Sequence, residues 1–199
     1  MEIIVATKNR GKVREIRKAL KGAGLKIYSL TDFSDVPGIE EDGKSFTENA
    51  LKKARFYSKH FGKLAIADDS GLEVDALGGL PGVYSARYSR EGASDQENNK
   101  KLLSEMEGIP FSKRGARFRC VMAMVSHDGR EAVVEGLCRG RIGTRGVGMK
   151  GFGYDPLFIL PQYGRTMAQL TVEEKNRVSH RGKALKKLKK MLLGLSSQP

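Results

Sequence analysis

The sequence predicts an α/β protein, and three observations carry that class. Short apolar runs (Glu2-Ile3-Ile4-Val5-Ala6, Leu64 to Ala67, Leu157-Phe158-Ile159-Leu160) have the length and branching of buried strands. Between them lie stretches with apolar residues at helical spacing, three of them opened by Ser/Thr-x-x-Glu capping boxes. The chain also begins strand, polar basic loop, helix, which points a helix N-terminus and its N–H groups beyond a strand end.

Taken in order, Glu2 to Ala6 runs into Thr7-Lys8-Asn9-Arg10-Gly11-Lys12, and a helix follows with Val13, Ile16 and Leu20 on one stripe. The loop suits phosphate, although it lacks the Gly-x4-Gly-Lys-Ser/Thr spacing of a Walker loop, and a merely solvated basic loop is the ordinary alternative. Gly22 and Gly24 stop the helix, and Lys26 to Leu30 forms a second strand. After Pro37-Gly38, Glu40-Glu41-Asp42-Gly43 packs three acids into a loop of the kind most often simply solvated. Ser45-Phe46-Thr47-Glu48 caps a helix to about Lys59, with Phe46, Ala50, Ala54 and Tyr57 on its apolar face. Asn49 and Lys53 stand one turn apart at the edge of that face, so Lys53 either snorkels outward or points into a cleft.

Leu64 to Ala67 then ends in Asp68-Asp69-Ser70-Gly71, where Ser70-Gly71 reads as a turn. Neighbouring strand residues point to opposite faces, so one acid should face a site while the other orients a neighbour. An Asx-turn with no chemistry is the plainer reading of the same residues. Gly78 to Gly82 is a sharply turning loop, and Ser94-Asp95-Gln96-Glu97 caps a helix through Leu102, Leu103 and Met106. Arg117 to Val125 alternates, turns at His127-Asp128-Gly129 and returns over Ala132 to Leu137 as a hairpin. Cys120 and Cys138 on its two strands read as core filler, as do the Met and Phe side chains beside them. Residues 139 to 153 read as a loop rich in Gly and Arg that ends Phe152-Gly153-Tyr154-Asp155-Pro156, glycines around aromatics that suit the face of a flat ligand. Thr171-Val172-Glu173-Glu174 caps a short helix carrying Lys175, and Ser179-His180-Arg181 opens the last helix, with Ala184, Leu185, Leu188 and Leu192 inward. With no repeat and no linker, the reading is one domain over residues 1–195 and a disordered tail over 196–199.

Composition narrows the partners. The 199 residues are 39% hydrophobic and 30% charged, with no apolar run near the ~18 residues that span a membrane and no signal-peptide pattern at the N-terminus. Two cysteines and three histidines without ligand spacing give no zinc site, and the thiols read as reduced in a cytoplasmic protein. Net charge is +13, and residues 175–190 hold eight Lys or Arg without an acid, so anionic partners are expected. That basic segment also motivates a nucleic-acid-binding alternative, although a solvated helix face is its simplest reading.

The stretches Thr7 to Lys12, Asp68-Asp69-Ser70-Gly71, Pro81-Gly82-Val83-Tyr84-Ser85-Ala86-Arg87, Phe152 to Pro156 and Ser179-His180-Arg181 occur in an order that resembles the inosine triphosphate pyrophosphatase family, the dITP/XTP pyrophosphatases. The resemblance covers about residues 2–193. It implies an elongated α/β fold with a long central mixed sheet flanked by helices, two lobes with an active-site cleft between them, and a homodimer. It implies cleavage of ITP, dITP and XTP between the α and β phosphates, with Mg2+ as cofactor, which keeps deaminated purines out of DNA and RNA. Carried over residue by residue, Thr7, Lys8, Asn9, Arg10, Gly11, Lys12 and Lys53 would hold the triphosphate, with Ser70 within reach of the nucleotide. Asp69 would be general base and metal-linked acid, Asp68 its support, and Glu40 a second metal carboxylate, with Glu41 as the fallback. Phe152, Gly153, Tyr154, Asp155, Lys175, His180 and Arg181 would form the base pocket. A donor aimed at O6 rewards hypoxanthine or xanthine and meets the amino group of adenine, donor against donor. The family often has glycine after the first threonine, and here Lys8 stands in its place.

Overall fold

The computed structural model describes residues 1–196, with side chains to Gly194. Seven strands form one mixed sheet in the order β2-β1-β3-β4-β5-β6-β7. β1 (Glu2–Val5) pairs parallel with both β2 (Lys26–Ser29) and β3 (Leu64–Val74). β4 (Gly115–Val125) and β5 (Glu131–Ile142) are joined by a turn in which Ser126 N–H donates to Arg130 O at 2.9 Å. β6 (Phe158–Leu160) is antiparallel to β5 and to β7 (Arg165–Thr166). The helices are α1 (Arg10–Ala19), α2 (Phe46–Phe61), α3 (Asp95–Glu105), α4 (Val172–Val178) and α5 (His180–Ser196). The α/β class and mixed sheet expected from the sequence are therefore present.

Several element boundaries differ from the sequence reading. α1 starts at Arg10, because the Asn9 side chain accepts the Lys12 N–H at 3.0 Å and caps the helix there. β3 does not turn at Ser70-Gly71 but runs on to Val74, and ladder pairing overrides the local turn preference. Gly82–Arg87 winds into 3-10 helix. β5 continues to Ile142, taking the first residues of what reads as a Gly- and Arg-rich loop. Ser196 belongs to α5, and the remainder of the expected tail, residues 197–199, lies outside the described residues.

The chain forms two compact units, each with its own core. Among the described residues, the first comprises 1–69, 120–136 and 181–196. Its core gathers Ile3 and Val5 of β1, Ile16 and Leu20 of α1, Ile66, Cys120, Met122 and Met124, and the α5 stripe Ala184, Leu185, Leu188 and Leu192. Burying each such aliphatic side chain contributes about 1.5–3 kcal/mol, and the stripe spacing is what delivers all four α5 residues to one face. In β4 the alternate residues Val121 and Ala123 are buried as well, so the strand is covered on both faces.

The second unit comprises residues 70–119 and 137–180. Leu72, Val74, Leu102, Met106, Phe118, Cys138, Tyr154, Phe158 and Met167 lie in its core. Arg114 is almost wholly buried there, and its guanidinium donates to the carbonyls of Met106 (2.7 Å), Ile109 (3.3 Å), Ile142 (2.9 Å) and Gly143 (2.8 Å). A buried cation without a carboxylate is tolerated because four backbone acceptors replace its water, and they fix the chain where β5 gives way to the loop that follows. Both cysteines are buried, and among the described residues neither forms a disulfide. Among the described residues no helix is long and apolar enough to cross a membrane.

Candidate active site

In the first unit, β1 ends beside β3, with Val5 opposite Ile66 and the Ala6 N–H donating to Ile66 O at 2.8 Å. The Thr7 stretch thus leaves the sheet at the carboxyl end of a parallel pair, the end where α/β sheets receive ligands. Thr7 Oγ1 accepts the Asn9 N–H at 3.2 Å, and the first intrahelical bond runs from Val13 N–H to Asn9 O at 3.0 Å. The first-turn N–H groups of Arg10 and Gly11 precede that bond and point out of the helix start, an anion-binding arrangement. Lys8, Asn9 and Arg10 are exposed, whereas Thr7, Gly11 and Lys12 are half-buried.

Asp68 and Asp69 are consecutive on β3 and, as strand alternation requires, meet different partners. Asp68 Oδ2 accepts from Arg181 Nε and Nη2 at 3.2 and 3.1 Å and lies 3.1 Å from Lys12 Nζ. Arg181 Nη1 continues to Glu15 Oε2 at 2.7 Å. Burial alone would drive the Asp68 carboxyl upward, but Lys12, Arg181 and Lys53 outweigh it and hold the group well below the usual carboxylate range. Burial likewise opposes the charge on Arg181, and Asp68 with Glu15 overcomes it.

Asp69 is the opposite case. Its Oδ2 accepts from Asn49 Nδ2 at 3.0 Å, and its Oδ1 lies 4.0 Å from Lys53 Nζ. Burial raises its pKa; Lys53 and Lys12 pull the other way but do not reverse it, and Glu41 adds to the rise. The contrast follows from distance: Asp68 touches two cations, while Asp69 stands further from one and faces a second acid. A carboxylate shifted upward accepts a proton more readily near neutral pH, which suits a general base.

Lys53 points inward rather than snorkelling. Its ammonium donates to Glu41 Oε2 and to Asp68 O, both at 2.7 Å. Burial penalises this charge, yet Asp69, Glu41 and Asp68 keep it raised. The contact falls on Glu41; Glu40 is exposed, as the neighbour of an inward residue in extended chain should be. Asn49 is the residue that the motifs did not single out. Only 1% exposed, it donates to Asp69 and accepts the Gly43 N–H at 2.8 Å, tying the acidic loop to the acid. Its one sequence signal is a polar residue at the edge of the α2 stripe, one turn before Lys53.

In the second unit Phe152, Asp155 and Lys175 come together. Lys175 Nζ donates to Asp155 Oδ2 at 2.6 Å and lies 4.5 Å from the centre of the Phe152 ring. Asp155 Oδ2 also accepts the Phe152 N–H at 3.0 Å, and any Cβ on Gly151, whose φ is +82°, would run into that oxygen. Phe152 is half-buried; Tyr154 is not at the surface, since its ring lies in the core and its hydroxyl donates to Ser85 O at 2.9 Å. Ser85 Oγ in turn accepts the Leu72 N–H at 2.9 Å. His180 is buried and stacks on Phe118 with centroids 4.7 Å apart. Ser70 is half-buried on β3. Arg181, expected with this group, instead directs its guanidinium to Asp68 and Glu15 of the first unit. Of the basic C-terminal run, Lys187 donates to Glu135 O, and Lys189 reaches Ala19 O and Lys21 O at the C-terminal end of α1.

The family described as Ham1 matches residues 3–191. A dITP/XTP pyrophosphatase of Geobacter sulfurreducens is 54% identical over 187 residues, 94% of each chain, and one of Desulforamulus reducens is 51% identical over 192 residues, 96% of each. Among solved structures, the Ham1 protein of Staphylococcus aureus superposes with a TM-score of 0.86 at 39% identity, covering 98% of this chain and 99% of its own. A HAM1 protein from Coxiella burnetii gives 0.87 at 42% identity, covering 96% and 98%.

Proposed function

The chain belongs to the Ham1 family, and on that premise we propose that it hydrolyses the non-standard purine nucleoside triphosphates ITP, dITP and XTP. Cleavage falls between the α and β phosphates, giving the monophosphate and pyrophosphate and keeping deaminated purines out of DNA and RNA. The observation that carries the reading is Asp69: a buried acid of raised pKa, fixed by Asn49, beside the ammonium of Lys53. The same unit offers a basic helix start to a polyanion.

Thr7 to Lys12 and Lys53 take the phosphates, backbone donors wrapping them and the lysines acting as point charges. Asp69 accepts the proton of the attacking water, and Asn49 holds its carboxylate in one rotamer for that transfer. Asp68 keeps Lys12 in place, and Arg181 acts through Asp68 rather than on the base. Phe152, Gly153, Tyr154 and Asp155, with Lys175 and His180, receive the purine; Phe152 offers the face and Tyr154 anchors the stretch from below. The two units serve one functional domain over residues 1–195.

Mg2+ is the proposed cofactor, and the donor set fits it: Asp69 and Glu41, two oxygen donors that both approach the Lys53 ammonium, would hold the ion. Among the described residues no cluster of three His, Cys, Asp or Glu suits a metal, and Mg2+ needs only one or two carboxylates beside phosphate and water oxygens. When bound, the ion would neutralise charge on the phosphates and lower the pKa of a coordinated water. A homodimer in the cytoplasm completes the proposal, the first resting on the family resemblance and the second on two buried cysteines outside any disulfide.

Pyrophosphate release from ITP, XTP, dITP, ATP and GTP, with Mg2+ and after its chelation, tests the reading. Fast release from the first three and slow release from the last two is expected. Equal rates on all five would overturn it in favour of a general nucleotide pyrophosphatase.

A further inference from the structure

Gly153 is gripped on both sides by α3. Its N–H donates to Asp95 Oδ2 at 2.6 Å, and its carbonyl accepts from Asn99 Nδ2 at 2.9 Å. Asp95 and Asn99 are four residues apart and so share one face of the helix. The turn that carries Asp95 is itself fixed: Ser94 Oγ accepts the Glu97 N–H at 3.2 Å, and Glu97 Oε2 accepts the Ser94 N–H at 2.7 Å. Gly153 sits at φ +61°, a conformation open to glycine and costly to residues with a Cβ, so the loop meets the helix with little freedom to slide.

Phe152 therefore hangs between two anchors. One is the Asp155–Lys175 pair, which holds the Phe152 N–H and places an ammonium over its ring. The other is the grip on Gly153, the next residue. The first belongs to the base-binding group already described; the second is supplied by Asp95 and Asn99 of α3, which the group does not include.

We propose that Asp95 and Asn99 are positioning residues for base discrimination: by fixing the Gly153 peptides they set the tilt and height of the Phe152 ring against the purine. The inference rests on the reading that the Phe152 stretch receives the base. Recognition by a ring face and by aimed donors is sensitive to displacement of about 1 Å, while phosphate chemistry at Asp69 draws on other residues. Loosening the grip should thus weaken selectivity before it weakens turnover. The Asp95 contact is charge-assisted and short, and its loss should be felt more than that of Asn99.

The experiment uses the full chain and compares ITP with GTP for the parent protein, Asp95→Ala, Asp95→Asn and Asn99→Ala, with thermal midpoints for all four. In Asp95→Ala the ITP KM is expected to rise about tenfold and the preference in kcat/KM for ITP over GTP to fall about tenfold, in Asn99→Ala both by about threefold to fivefold, with kcat on ITP within about threefold in each. Asp95→Asn should recover most of that preference, because its amide oxygen still accepts the Gly153 N–H. It removes the negative charge at the helix start just as alanine does, so loss through helix stability alone would strike both variants equally. A preference unchanged within twofold in both alanine variants overturns the inference, and so does an Asp95→Asn variant as impaired as Asp95→Ala. A parent protein that does not prefer ITP to GTP overturns the underlying reading together with the inference, and that failure is visible before any variant is made.

Discussion

Asn49 donates its side-chain amide to Asp69 Oδ2 at 3.0 Å while its own oxygen accepts the Gly43 N–H at 2.8 Å. One side chain thus fixes both the acid and the loop bearing Glu41. In Asn49→Ala the Asp69 carboxylate loses its locking donor, and kcat should fall about 10–100-fold with KM little changed. Steady-state pyrophosphate release on ITP measures it, and a KM effect with kcat intact would show that Asn49 serves binding instead.

Asp69→Asn keeps the shape of the site and removes the base. Turnover should drop by about 10²–10⁴. The fold should survive, with a thermal midpoint equal to the parent's or above it, because a neutral amide escapes the burial penalty that raises the Asp69 pKa. Retained turnover in the folded variant would move the base elsewhere.

Arg181 joins Glu15 to Asp68 inside the first unit. Arg181→Met leaves two buried carboxylates facing a thioether, and unfolding free energy should fall by about 3–5 kcal/mol. The pH dependence has a definite sign. The folded Asp68 carboxyl lies below its ordinary 3.8, so its contribution is fully present above that value and is lost as pH falls through the lower folded one. Denaturant melts of parent and variant should therefore converge in acid; a gap that widens there contradicts the pairing.

The Cys120 thiol is pushed up to about 12 by burial, with the Asp68 charge adding to the rise. At pH 8 a disulfide-based thiol reagent should leave Cys120 unlabelled in the native chain and label it fully in denaturant, read by peptide mass. Keeping this thiol neutral favours the folded state fully below the ordinary 9.0, and that advantage is lost as pH rises toward 12. Rapid native labelling would mean that the first core opens.

Local signals in the sequence were legible and distant pairings were not. Ser94 and Thr171 form the capping boxes their spacing predicts, since both partners lie within one turn. The α5 stripe and the hairpin after Val125 are likewise set by near neighbours. The turn at Ser70-Gly71 failed because neighbouring strands, remote in sequence, extend β3 past it. Arg181 finds Glu15 across 166 residues, a contact that no periodicity encodes. Motif order singled out Asp69, Lys53 and the Phe152 stretch, but which of Glu40 and Glu41 turns inward depended on the chain's local rotation. Asn49 and Asp95 were hidden because polar residues on helices are common, and only their partners distinguish them.

The two cores are each assembled from interrupted pieces of chain. The first unit takes three segments and the second takes two, with crossings after Asp69, Arg119, Gly136 and His180. A cut after Asp69 leaves every segment of the second core on one fragment, but no single cut leaves the first core whole, because its segments lie on both sides of the second. Recombination that is to keep the first core must therefore carry both ends of the gene together, and with them everything between.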